Sequence, residues 1–346
     1  GLDSLLLLPP SVERKTEFLV LQVLRAEQLP AMDRPTLGIG DTAIDAFVEA
    51  AFAGNAPLKT PYIKSKGKDG ELEVSFPRNN ELWLPVYRPT MSDRVVVTLK
   101  DHDLLRTAAT VGTLNLRYSQ IRKRPFGPTW FNIYGSPGDG YESKDMNEHP
   151  ASASTYRGRL LLAARVERDP DESIGEKPHR KHAALPVRDL WPPATRYVLR
   201  GAIFTGSELP TFAKNLLVGS GLLSGKCGVE ISCGRTKIIT EPKRNEKGVI
   251  EWHLCEEKVV ELPADPLQMP DVFVYLYRGS RDSPRRVCYF RMAARDLLRR
   301  GLAAPPQWVH LREDPAINAL ASYENPGSVL VRMALAREDE VAAAAE

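Results

Sequence analysis

The residue pattern implies an all-β chain folded as two eight-stranded antiparallel β-sandwiches in tandem. Three observations carry this reading. Short apolar or alternating runs, each bounded by Gly, Pro, Asn or Asp, recur along the chain as strands separated by turns do. The second half repeats the first, with Trp130 and Trp308 offset by 178 positions and Val95 and Val272 by 177. Finally, 346 residues exceed the usual size of one domain, so two copies of one unit fit the length.

Taken in order, the first strand runs from Glu17 through EFLVLQVLRAEQLP and breaks at Pro30. DAFVEAAF (Asp45 to Phe52), GELEVSF (Gly70 to Phe76), ELWLPVY (Glu81 to Tyr87) and RVVVTL (Arg94 to Leu99) follow, then VGTLNL (Val111 to Leu116) and TWFNIYG (Thr129 to Gly135). RGRLLLAARVE (Arg157 to Glu167) closes the set, about eight strands for one two-sheet domain. Helical turns are expected only around Leu116 to Arg122 and Ala293 to Leu302. The polar segment Ser136 to Tyr156 reads as a long surface loop. These boundaries put the first domain at 14–169, a Pro-rich linker at 170–193 and the second domain at 194–338. In the second domain RYVLRGAIFTGSELP, DVFVYLYRGS, QWVHLREDP and GSVLVRMALARE echo strands of the first.

Composition narrows the function classes. With 47 basic and 44 acidic residues the net charge is +3, too mild for a duplex-binding surface, so no nucleic-acid partner is expected. The four cysteines form no CxxC pair and read as buried strand residues in a reducing compartment. Leu5 to Pro10, the longest apolar run near the start, is far shorter than the roughly 20 residues of a membrane span. No signal peptide is visible, and the chain reads as a segment of something longer. HRKH (His179 to His182) sits in the Pro-rich stretch, and GSGLLSG (Gly219 to Gly225) lacks dinucleotide-loop spacing. No Ser, His and Asp set sits in a nucleophile motif, so an enzyme is not expected.

The informative chemistry lies in two acidic segments, Leu29 to Asp45 and Asp101 to Asp103. Each leaves a strand to place carboxylates on a loop. Calcium takes six to eight oxygens, which aspartates on loops can supply. Asp33, Asp45, Asp101 and Asp103 are the candidate ligands, with Asp41 a possible fifth.

A strand ending in Leu-Pro-x-x-Asp, a strand opening on Asp-Ala-Phe-Val and a strand ending in Asp-x-Asp resemble a C2 domain. FGPTWFNIYGSP (Phe126 to Pro137), YRGRLLLAARVE (Tyr156 to Glu167) and AFAG (Ala51 to Gly54) narrow the resemblance to an internal C2 domain of ferlins. The resemblance implies a tandem C2 segment of a tail-anchored protein of vesicle trafficking, exocytosis and membrane fusion, peripheral on the cytoplasmic side of a vesicle or plasma membrane. Other trafficking proteins are implied partners. It places Asp33 and Asp45 on the first calcium loop and Asp101 and Asp103 on the third, and puts Ala109 where a fifth aspartate is usual. The result is a partial Ca2+ site.

Apolar residues flank the same segments. Met32, Leu37 and Ile39 in the first and Leu104 and Leu105 in the third are candidates for membrane insertion, as are Phe212, Leu216 and Leu217 in the second domain. The second domain lacks the acidic pattern. Its cations Arg278, Arg281, Arg285 and Arg286, with Lys237, Lys243 and Arg244, are candidates for anionic lipid, each worth about 1 kcal/mol near such a surface. The rival reading is a calcium-independent protein-interaction scaffold built from degenerate C2 domains.

Overall fold

The computed structural model describes residues 12, 14–32, 43–67, 71–77, 80–102, 108–137, 141–168, 191–212, 226–245 and 247–344. They form two compact units. The first comprises the residues to Gly135 with Asp145–Ala153 and Arg157–Pro192; the second comprises Ser136–Lys144, Ser154–Tyr156 and the chain from Pro193.

Ten strands build the first unit. They are β1 (Lys15–Leu29), β2 (Asp45–Ala51), β3 (Leu58–Lys59), β4 (Ile63–Lys64), β5 (Leu72–Ser75), β6 (Glu81–Arg88), β7 (Arg94–Asp101), β8 (Ala109–Arg117), β9 (Phe126–Gly135) and β10 (Thr155–Arg168). One sheet has the order β5-β1-β10-β9 with β6 also along β1; the other is β3-β2-β7-β8 with β4 also along β2. Since β3 and β4 share one edge, and β5 and β6 another, the ten segments amount to eight strands. Alternation explains the packing, because successive strand side chains point to opposite faces. Leu19, Leu21 and Val23 of β1 meet Val95, Val97 and Leu99 of β7 in one core. Each such aliphatic contributes about 1.5–3 kcal/mol when fully buried.

The second unit repeats the plan. Its strands are β11 (Ala194–Ser207), β12 (Lys226–Cys233), β13 (Thr236–Ile239), β14 (Lys243–Arg244), β15 (Ile250–Pro263), β16 (Val272–Gly279), β17 (Pro284–Met292), β18 (Gln307–His310), β19 (Arg312–Glu313) and β20 (Ser328–Arg337). The orders β15-β11-β20-β18 and β13-β12-β16-β17, the latter extended by β19, match the first unit strand for strand. A buried side-chain bond fixes the correspondence. The Val48 amide donates to Thr60 Oγ1 at 2.9 Å, and the Val229 amide donates to Thr240 Oγ1 at 2.9 Å. In both units a bulge falls near the end of the ladder, between Leu99 and Lys100 and between Leu276 and Tyr277. The repeat therefore holds residue by residue along these strands.

The two expected helical turns are present as α1 (Tyr118–Lys123) and a later helix over Ala294–Arg300. The expected surface loop from Ser136 to Tyr156 is corrected: it carries a helix over Tyr141–Glu148, and Ser143, Met146 and Asn147 are buried. Asn147 Nδ2 donates to the Thr110 carbonyl at 3.0 Å. Polar composition hid this helix, because its inward face is mostly polar and shows no apolar period. At the end of the Pro-rich stretch Trp191 packs on the first unit, 6.5 Å edge-on from Trp130 and with the Arg25 guanidinium 4.9 Å from its ring centroid.

Candidate functional site

The candidate calcium residues within the described chain are Asp45 and Asp101, and the strands bring them together. Asp45 opens β2 and Asp101 closes β7, where Ala46 is the register partner of Asp101. The Asp45 amide donates to Asp101 Oδ1 at 2.9 Å, and the His102 amide donates to the Asp45 carbonyl at 2.9 Å. Asp101 is 4% exposed, so its carboxylate is fixed by the fold, whereas Asp45 is half-buried. His102 is held in turn by Tyr62, stacked at 4.4 Å. Residues 33–42 precede β2 and residues 103–107 follow His102, so both acidic segments adjoin this pair in the chain.

Calcium requires six to eight oxygens. Asp45 and Asp101 supply a fraction of that number, and among the described residues no group of three or more His, Cys, Asp or Glu side chains is positioned for a metal. Ala109, the register partner of Asp101, adds no side-chain oxygen. Asp33, Asp41 and Asp103 lie outside the described residues, as do Leu37, Ile39, Leu104, Leu105, Leu216 and Leu217. Asp45 and Asp101 are oxygen donors of the kind a hard cation takes, and they stand at adjoining strand ends.

Three expectations need correction. Met32 packs against the hydrophobic core, and the Arg157 Nη2 donates to its Sδ at 2.8 Å, so it is turned inward rather than into a membrane. Phe212 is 1% exposed and belongs to the second core; its ring lies beneath Arg278, whose guanidinium is 4.5 Å from the ring centroid. Arg286 is not available to a lipid. It pairs with fully buried Glu230 at 2.6 Å and lies 4.1 Å from the centroid of the Tyr275 ring.

The remaining cations are exposed or half-buried. Arg281 pairs with Glu241 at 3.1 Å, Lys237 stands 3.9 Å from Glu230, and Lys243 Nζ donates to the Glu251 carbonyl at 2.6 Å. Arg285 and Arg244 are exposed, and Arg278 is half-buried. Sequence reasoning passed over Lys226, the first residue of β12. Aligning Val48 with Val229 puts it opposite Asp45 in the repeat, which was the signal that could have found it.

Two sandwiches of one topology, with paired strand ends at β2/β7 and β12/β16, agree with the tandem C2-type fold expected from the sequence. No family model matches the chain. Mouse myoferlin is 27% identical over 205 residues, covering 49% of this chain and 10% of myoferlin. Ferlin 2 of Toxoplasma gondii is 27% identical over 190 residues, covering 51% of this chain and 12% of that protein. The chain is thus similar to ferlins over about half its own length, and it spans about a tenth of the length of these curated relatives. Among solved structures, the calcium-bound pair of C2 domains from extended-synaptotagmin 2 covers 94% of this chain and 97% of its own length at 14% identity, with a TM-score of 0.32.

Proposed function

We propose that the chain is a peripheral membrane-binding C2 pair acting in calcium-regulated vesicle trafficking, exocytosis or membrane fusion on the cytoplasmic face. The observation that carries this reading is the bond from the Asp45 amide to Asp101 Oδ1, which ties the ends of β2 and β7 beside both acidic segments. Several carboxylates gathered at one end of a sandwich repel at neutral pH, and a divalent cation relieves that repulsion. In this reading Asp33, Asp41 and Asp103 complete the oxygen set. Calcium supplies the positive charge that joins the acidic end to lipid phosphate, while Leu37, Ile39, Leu104 and Leu105 enter the headgroup region. The second unit works without calcium, through its basic residues. The activity is binding, with other trafficking proteins as further partners.

Co-sedimentation with vesicles tests the reading. The bound fraction is expected to rise with anionic phospholipid and to rise further with calcium. If neither lipid charge nor calcium changes it, the membrane reading fails. The scaffold reading gains from one observation, the turning of Phe212 and Arg286 into packed positions, and it would take over in that event.

A further inference from the structure

We propose that the outer sheet face of the second unit, centred on Trp308, is a docking surface for an extended segment of a partner protein that carries a tryptophan. The internal repeat shows what such a segment covers. In the first unit Leu24, Trp130 and Leu161 form an apolar cluster separate from the core between the sheets, and Trp191 packs against it. Trp130 is 5% exposed beneath this cover. Trp191 meets the Trp130 ring edge-on at 6.5 Å and 83°, a favoured arrangement for two aromatic rings. Pro192 and Pro193 follow, and a proline after Trp191 favours an extended backbone there.

Strand register finds the same three positions in the second unit. In the first, Arg25 pairs with Ser75 and Leu161, and Leu24 is the extra residue of the bulge between Val23 and Arg25. In the second, Thr205 pairs with Glu251 and Leu330, and Phe204 is the extra residue of the bulge between Ile203 and Thr205. Leu330 pairs in turn with Trp308 on the edge strand β18. Phe204, Leu330 and Trp308 therefore stand for Leu24, Leu161 and Trp130. Successive strand residues point to opposite faces. Val329, Val331 and Val309, the chain neighbours of Leu330 and Trp308, lie in the core, so Leu330 and Trp308 face away from it. The difference between the units is the cover: Trp308 is 46% exposed, and Phe204 and Leu330 are half-buried.

The exposed ring sets the chemistry of the occupant. Tryptophan is among the residues that anchor interfaces, because it removes a large apolar area from water at little conformational cost. An incoming tryptophan repeats on Trp308 the edge-to-face pairing that Trp191 makes with Trp130. The flanking charges differ between the units. Arg159, 4.1 Å from the Trp130 ring centroid, and Arg25, 4.9 Å from that of Trp191, bracket the cover in the first. In the second, Ser328 and Thr205 hold those positions, and Glu251, with a side chain 70% exposed, ends the row. A basic residue beside the partner's tryptophan pairs with that carboxylate. Docking here uses neither calcium nor lipid, and so adds a protein partner to the membrane-binding reading.

The probe is a peptide with the sequence of residues 187–196, VRDLWPPATR, titrated calorimetrically into the full chain. Wild type is expected to bind one peptide per chain, equally in calcium and in chelator, because tethered Trp191 outcompetes free peptide at the first unit. Trp308→Gln is expected to weaken binding about thirty-fold, the loss of one interface anchor, with an unchanged denaturation midpoint. Phe204→Ala, and a peptide with alanine in place of its tryptophan, are expected to weaken it as well. Tyr323→Gln, which removes a 77% exposed aromatic elsewhere on the unit, is expected to bind as wild type does. Trp191→Ala uncovers the first face and is expected to bind two peptides. No binding by wild type, binding that Trp308→Gln leaves unchanged, or a single peptide on Trp191→Ala overturns the proposal. Trp308-dependent sedimentation with neutral phosphatidylcholine vesicles, without peptide binding, makes the face a membrane contact and overturns the partner. Trp308-dependent self-association without peptide binding makes a second copy the occupant and overturns it equally.

Discussion

Glu17 shows how a single carboxylate ties the first unit together. It is 3% exposed, and it accepts from the Tyr118 hydroxyl at 2.6 Å, from Arg122 at 2.9 Å and from Arg88 at 3.2 Å. Burial, the largest influence, acts to raise its pKa, but the bonds from Arg122, Tyr118 and Arg88 outweigh it and lower the carboxyl to about 2. A carboxyl with a lowered folded-state pKa stabilises the fold above its unfolded value of 4.5, and that contribution is lost as pH falls from there through about 2. Glu17→Gln is expected to cost about 2–3 kcal/mol at neutral pH, the scale of hydrogen bonds to a charged group. Urea denaturation between neutral and acid pH checks this: the variant is expected to show a flatter acid limb than wild type. Trp191→Ala, which removes the ring between Trp130 and Arg25, is expected to cost about 1–2 kcal/mol of first-unit stability in the same assay.

At the scale of elements, the interrupted edge strands β3/β4 and β13/β14 are each pinned by one threonine. Thr60 and Thr240 accept the amides of Val48 and Val229, both in central strands with fully buried side chains. Thr60→Val and Thr240→Val keep the shape and orphan a buried amide. Each is expected to cost about 1–3 kcal/mol, read as a lowered denaturation midpoint of its own unit. The strands themselves were legible because turn residues punctuate them and one face alternates. Asp45 and Asp101 were legible for a related reason: each stands where an apolar run stops. Arg286 was not legible, because the bulge at Leu276/Tyr277 sets its register against Tyr277 rather than along the exposed end. The burial of Phe212 in the second core, against its assignment to a membrane, was not legible either. No local pattern announces either event.

Across the whole molecule, two copies of one topology carry opposite charge at equivalent strand ends. In the proposed reading, that asymmetry separates two modes of attachment by their salt dependence. Screening lengths fall from about 10 Å at 0.1 M to about 3 Å at 1 M salt, so contacts between exposed cations and a charged surface weaken steeply. Vesicle binding in chelator is therefore expected to disappear as salt rises, while the calcium-dependent increment, which rests on coordination and apolar insertion, declines less. Co-sedimentation over a salt series checks this.

In the proposed reading Asp45 and Asp101, at adjoining strand ends, anchor a calcium site in the first unit. Calorimetric titration of calcium into the full chain, beside Asp45→Asn and Asp101→Asn, decides whether they do. Wild type is expected to give saturable binding that either substitution abolishes or weakens at least tenfold; absence of binding in wild type, or unchanged binding in both variants, would contradict it.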